Sequence, residues 1–227
     1  MSLLRKVRRY VDFARMRHGV ERLRVLVDEH TVLVVVDVQN DFCPGGALPV
    51  RDGDKVVPIL NDYVKKFRKV GASVIFTRDW HPPDHSSFKP QGGPWPPHCV
   101  QNSKGAEFHR ALILPPGAEI VSKADKKDEA YSFFHGTDLA RELHDRGITK
   151  LLVGGLATDY CVKETVLAGL KNGFDVYYLD DASLGVNVRP NDSELALAEM
   201  VKRGAKRVSF NDVVTVDEEK RGYPGKK

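Results

Sequence analysis

The sequence predicts an α/β fold: three α/β/α layers built on a doubly wound, six-stranded, mainly parallel sheet, with an extra helix at the N-terminus. Two patterns carry this expectation. Short apolar, β-branched runs recur along the chain, and amphipathic helical patterns stand between several of them. Size is the third observation, because 227 residues with 41% hydrophobic side chains are enough to enclose the core of one compact domain.

The first run, residues 31–37 (TVLVVVD), is apolar up to its closing aspartate, as a strand buried on both faces of a parallel sheet should be. Comparable runs follow at 73–78, 118–122, 150–154, 174–179 and 206–209. Helical spacing is read at 55–69, where Val56, Ile59, Leu60, Tyr63, Val64 and Phe67 share a face, and again at 137–146, 159–171 and 192–203. Asn191 or Asp192 is the expected cap of the last helix. Between residues 79 and 117 runs a proline-rich connection, and a loop of that length inside a compact domain is usually functional.

Residues 1–30 read as a basic helical extension, with Leu3, Val7, Tyr10, Val11, Ala14, Val20, Leu23 and Leu26 at near-helical spacing. Their basic residues account for the whole formal charge of +4, so the rest of the chain is neutral in sum and offers no domain-wide surface for nucleic acid. The same composition overlaps that of a mitochondrial transit segment, which stays open beside the packed helix. No apolar run approaches the ~20 residues of a membrane span. Three scattered cysteines, Cys43, Cys99 and Cys161, do not form a disulfide framework, so a reducing, cytoplasmic setting is expected. The main domain itself is expected over 31–215, and 216–227 reads as a frayed, charged tail.

The polar residues with chemical potential collect at the carboxyl ends of the expected strands, where an open parallel sheet places its ligand crevice. Asp37 closes the first strand, Asp79 and His81 follow the second, Lys123 follows the third, and Cys161 lies past the fourth. Cys161 comes at a helix start, whose free N–H groups favour a thiolate, and an ammonium such as Lys123 would favour it further. Asp79, His81 and His98 offer one carboxylate and two imidazoles, a donor set that suits a divalent transition metal and leaves positions open. Plainer readings stand beside these: an inert buried cysteine, a turn aspartate, a surface lysine, loop histidines bonded to backbone. His85 fits support behind the ligands better than ligation.

Taken together, Asp37-Val38-Gln39-Asn40-Asp41-Phe42, Thr77-Arg78-Asp79-Trp80-His81-Pro82, Trp95-Pro96-Pro97-His98-Cys99, Lys123 and Gly155-Leu156-Ala157-Thr158-Asp159-Tyr160-Cys161-Val162 resemble the isochorismatase-like cysteine hydrolases. Within them they resemble the nicotinamidases, over about residues 31–210 and in the same order. The resemblance implies a sheet order of 3-2-1-4-5-6, a catalytic triad of Asp37, Lys123 and Cys161, and Asp79, His81 and His98 as ligands of one divalent ion, Zn2+ before Fe2+ or Mn2+. It implies a cis peptide at Leu156–Ala157, an oxyanion hole from the N–H groups of Ala157 and Cys161, and a substrate pocket including Phe42, Trp95, Tyr131 and Leu156. The activity implied is hydrolysis of nicotinamide, and of pyrazinamide, through a cysteine thioester, feeding NAD salvage. A homo-oligomer is expected, with no nucleic acid and no membrane as partner. Alternatives are a related amidohydrolase acting on another small amide, an isochorismatase-type hydrolase, and a non-catalytic metal-binding or redox-sensing module.

Overall fold

A computed structural model describes residues 23–127 and 130–220. Its central strand is Thr31–Val36 (β2, with Val25–Val27 as β1), in which every residue is buried. Alternation along β2 sends Leu33 and Val35 to one face and Val32, Val34 and Val36 to the other, and each set enters a separate apolar cluster. Ser73–Asp79 (β3) and Lys150–Leu156 (β5) flank β2 in parallel. Glu119–Lys123 (β4), Asp175–Leu184 (β6) and Lys206–Val208 (β7) extend the sheet, also in parallel, to the order β4-β3-β2-β5-β6-β7. Counted among these six strands alone, that is the expected 3-2-1-4-5-6.

Helix Val56–Lys69 (α1) lays Val56, Val57, Leu60, Tyr63, Val64 and Phe67 on the Leu33/Val35 face. Its last turn carries Lys66, Arg68 and Lys69, cations placed where the helix dipole is negative. Leu139–Asp145 (α2), Lys163–Lys171 (α3) and Asp192–Lys202 (α4) cover the opposite face through Leu139, Leu143, Val166 and Met200. The expected side-chain cap of α4 by Asn191 is not made: Asn191 is left-handed, and Asn187 Oδ1 accepts the N–H of Ser193 at 2.9 Å instead. Among the described residues no helix is long and apolar enough to cross a membrane.

Both chain ends depart from expectation. Residues 1–22 of the expected N-terminal helix lie outside the described residues, but Val25–Val27 at its far end is a strand, paired in parallel with Val213–Thr215 (β8). Helical spacing was misleading here because it counted Leu23, which is exposed, whereas Val25 and Val27 alternate into the core. The charged run after 215 begins as a short helix, Val216–Lys220 (α5), with a reciprocal cap: Thr215 Oγ1 accepts the Glu218 N–H, and Glu218 Oε2 accepts the Thr215 N–H at 2.8 Å. Residues 221–227 of the expected tail lie outside the described residues.

Register brings the reactive ends level. Val36 lies opposite Thr77 on one side and Gly155 on the other, and Asp79 lies opposite Lys123. Gly155 has φ 132, and a Cβ there would fall 2.1 Å from the carbonyl oxygen of Val36, so only glycine lets the chain leave β5 this close to β2. The long connection after β3 is fastened by isolated bridges between His81 and Val100 and between Phe88 and Trp95. Truncating Leu33→Ala should lower the unfolding free energy by about 2–5 kcal/mol, whereas Ile120→Ala, at a half-exposed site, should stay within about 0.5 kcal/mol; denaturant melts of both variants check this.

Candidate active site

Asp37 leaves β2 with φ 48, a left-handed turn that directs the chain out of the sheet. Its Oδ1 accepts the Thr77 hydroxyl at 2.6 Å, and its Oδ2 lies 2.9 Å from Lys123 Nζ. The same ammonium donates to Asp79 Oδ1 and to Cys161 Sγ, the latter at 3.2 Å. All four side chains are buried. One atom from each of Asp37, Asp79 and Cys161 lies within 4.8 Å of the other two. The structure therefore brings the three expected triad residues together.

Burial raises Asp37 to about 6 against the pull of Lys123, so its carboxylate is a stronger base than one in water. Burial alone would lower Lys123, but the carboxylates of Asp37 and Asp79 outweigh it and keep the ammonium charged. Cys161 differs from expectation. It sits within a π turn, Thr158–Val162, ahead of α3, yet burial, with the two carboxylates adding to it, holds the thiol well above its usual range despite Lys123. Burial therefore favours the thiol form of Cys161, with the Asp37 carboxylate close by.

Beside this triad, one donor atom from each of Asp79, His81 and His98 lies within 4.8 Å of the others, and all three residues are buried. Both imidazoles turn Nδ1 toward a backbone carbonyl: His81 to His98 at 3.0 Å, His98 to Pro96 at 2.8 Å. A carbonyl only accepts, so each Nδ1 carries its proton and each Nε2 presents a lone pair, the tautomer a metal ligand requires. Burial lowers His81 to about 4, which keeps that ring neutral. His85 Nδ1 lies 2.7 Å from the Ser87 hydroxyl and 3.3 Å from the Ser87 N–H. The His85 ring lies 4.2 Å from the His81 ring, tilted by 39°, next to the expected ligands. Asp37, Asp79 and Lys123 sum to one buried negative charge, which a divalent ion would offset. The residues fit a divalent metal with three protein ligands.

A cavity opens onto both clusters, lined by Phe42, Leu48, Asp79, Trp95, His98, Tyr131, Ala157, Tyr160, Cys161 and Val186. Trp95 Nε1 donates to the Tyr131 hydroxyl at 3.3 Å, and the Trp95 ring meets Tyr160 edge-on at 5.2 Å. Phe42, Trp95 and Tyr131 are thus where the sequence put them. Leu156 is not: its side chain is fully buried in the apolar cluster beside α1, close to Gly53, and does not reach the cavity. The Leu156–Ala157 peptide is cis, as expected.

A family model described as the isochorismatase domain matches residues 31–212. The chain belongs to the isochorismatase family. The nicotinamidase of Escherichia coli is 40% identical over 202 residues, 79% of this chain and 95% of that protein. The crystal structure of the pyrazinamidase of Pyrococcus horikoshii in complex with zinc is similar with a TM-score of 0.76 and 53% identity, covering 80% of this chain and 99% of that one. The structure of PnC1 from L. infantum in complex with nicotinate gives a TM-score of 0.78 and 34% identity over 85% and 100% of the two chains.

In this isochorismatase-family chain several residues join the site that sequence reasoning left unassigned. Tyr160, Leu48 and Val186 wall the cavity. Gln39, fully buried, clamps the Asp79 backbone from both sides: Oε1 accepts the Asp79 N–H and Nε2 donates to the Asp79 carbonyl, each at 2.8 Å. Asp41 Oδ2 accepts the Cys99 N–H at 2.7 Å, next to His98. Both stand inside the Asp37–Phe42 segment, so the signal was present, but polar residues in a loop do not announce which backbone they hold. Gln39→Ala should weaken binding of a divalent metal by about tenfold or more, read by competition with a chromogenic chelator, because the Asp79 backbone loses both hydrogen bonds from Gln39.

Proposed function

We infer that this chain hydrolyses nicotinamide to nicotinate and ammonia by way of a thioester on Cys161, returning the pyridine ring to NAD salvage. The observation that carries this is the shared cavity: Cys161, Asp79 and His98 border one aromatic-walled space, and behind them Asp37 lies within 4.8 Å of Cys161 and Asp79, and His81 within 4.8 Å of Asp79 and His98. An aromatic amide with a ring nitrogen has one group for each of these features. The E. coli relative is a nicotinamidase, and the L. infantum relative is described with nicotinate, the product of this reaction.

Asp37 accepts the Cys161 thiol proton as the sulfur attacks the carboxamide carbon, and Lys123 stabilises the charges that this transfer creates. The oxygen of the tetrahedral intermediate takes the N–H groups of Ala157 and Cys161; one such donor is typically worth about 3 kcal/mol in acyl transfer. Protonated Asp37 passes its proton to the amide nitrogen, the C–N bond breaks, and ammonia leaves a thioester. Asp37 then takes a proton from water, whose oxygen attacks the thioester carbon; nicotinate departs and the proton returns to sulfur. Asp79, His81 and His98 would hold the metal, zinc in our reading, which supplies a Lewis-acid site for the pyridine nitrogen. Phe42, Trp95, Tyr131 and Tyr160 confine the ring and exclude water.

Cys161→Ala should abolish ammonia release while calorimetry still detects nicotinamide binding; turnover near the parent level would rule out the thioester route. Purified protein should convert nicotinamide and pyrazinamide but act poorly on benzamide, which lacks the ring nitrogen. Chelation should remove most activity and zinc add-back restore it. Equal rates on benzamide and nicotinamide would remove the metal site from substrate recognition and favour a different small amide.

A further inference from the structure

Two residues before Cys161, the buried carboxylate of Asp159 accepts two backbone N–H groups from the loop between β6 and α4. Val186 donates to Oδ1 at 2.9 Å and Asn187 to Oδ2 at 2.7 Å. Hydrogen bonds to an ionised acceptor are roughly twice as strong as neutral ones, so this is a firm attachment. Asn187 adopts φ 52, and its own side chain closes onto α4 through the Ser193 N–H. Gly185 packs so tightly between these elements that a Cβ would fall 1.8 Å from Ser193 Oγ and 2.9 Å from Asp159 Oδ1. One carboxylate thus ties the nucleophile turn, the loop and, through Asn187, the start of α4.

The consequence lies in the cavity. Val186, whose N–H Asp159 holds, lines the same space as Cys161, Ala157 and Tyr160. We propose that Asp159 is a positioning residue that fixes Val186 as a wall of the acyl site and thereby limits the size of the ring this enzyme accepts. The proposal rests on reading the cavity as an aromatic-amide site. Asp159 touches neither substrate nor sulfur in this account; it acts through the loop it holds. Without the carboxylate, the Val186 and Asn187 N–H groups lose their acceptor and the wall is released. An asparagine retains one acceptor oxygen but turns an amino group toward the other N–H, donor against donor.

The test compares the parent with Asp159→Asn and Asp159→Ala in two measurements. Hydrogen exchange reads the Val186 and Asn187 amides, and kinetics compare nicotinamide with a nicotinamide carrying an alkyl substituent on the ring. Exchange at both amides should quicken by about tenfold or more. KM for nicotinamide should rise about tenfold with kcat changed by less than about threefold, and relative kcat/KM for the alkylated ring should improve about fivefold. Asp159→Asn should fall between the parent and Asp159→Ala, and it carries the test alone should the alanine variant not fold. Unchanged exchange, or kcat and KM altered with ring selectivity intact, overturns the role of Asp159. A parent protein inert toward nicotinamide instead overturns the assigned function, and this proposal with it.

Discussion

Lys123 holds its charge where water does not reach, between the carboxylates of Asp37 and Asp79 and against the sulfur of Cys161. A buried ammonium without partners would give up its proton, and a pair of buried carboxylates without a cation would repel, so none of these groups is stable in its charged form alone. Removing one member of such a buried pair typically costs about 3–5 kcal/mol, because the remaining charge is left uncompensated. That mutual dependence ties Cys161 to the Asp79–His81–His98 group: the same ammonium that faces the sulfur also contacts the carboxylate of Asp79. The thiol half and the metal half of the site therefore share one electrostatic anchor.

An open parallel sheet is what makes this convergence possible from residues so far apart in sequence. Strand β4 contributes Lys123 directly beside Asp79 of β3, β2 delivers Asp37 one strand over, and β5 ends in the turn that carries Cys161. A one-residue slip between β3 and β4 would send Lys123 to the other face of the sheet, away from both carboxylates. Register is enforced by the two apolar clusters, since the alternation along β2 leaves no polar side to slide onto. The hydrophobic pattern that builds the core thus also fixes the ion pair.

What could be read from the sequence follows from how local each signal is. The apolar runs and helical stripes gave all six sheet strands and four helices because their periodicity lies within a dozen residues. Asp37, Lys123 and Cys161 were legible because each ends a run or opens a turn, so their placement needed only strand order. Val25–Val27 was not, because three residues are too short for a period and its partner, β8, lies almost two hundred residues away. The Thr215–Glu218 cap was a readable signature obscured by the surrounding charge run. Val186 could not be assigned, since no motif marks it: it lines the cavity from a loop whose backbone bonds to Asp159, a contact that local sequence does not reveal. Leu156 was placed in the pocket because it neighbours the nucleophile turn, but a residue at the end of a strand alternates, and this one faces the core.

The segment 37–42 shows how much a short loop can coordinate when its side chains hold backbone as well as perform chemistry. Asp37 is the base in the proposed reaction, Gln39 fixes the backbone of Asp79, Asp41 fixes the residue next to His98, and Phe42 walls the cavity. Gly105 lies so close to Asp41 that a Cβ would come within 2.0 Å of its carboxylate, so the loop is packed down as well as bonded. A shift of this segment would move Asp37, the backbone around Asp79 and His98, and the Phe42 wall at the same time. Proton transfer, metal binding and ring placement are consequently not independent properties of the site, and the rigidity of six residues sets the tolerance of all three.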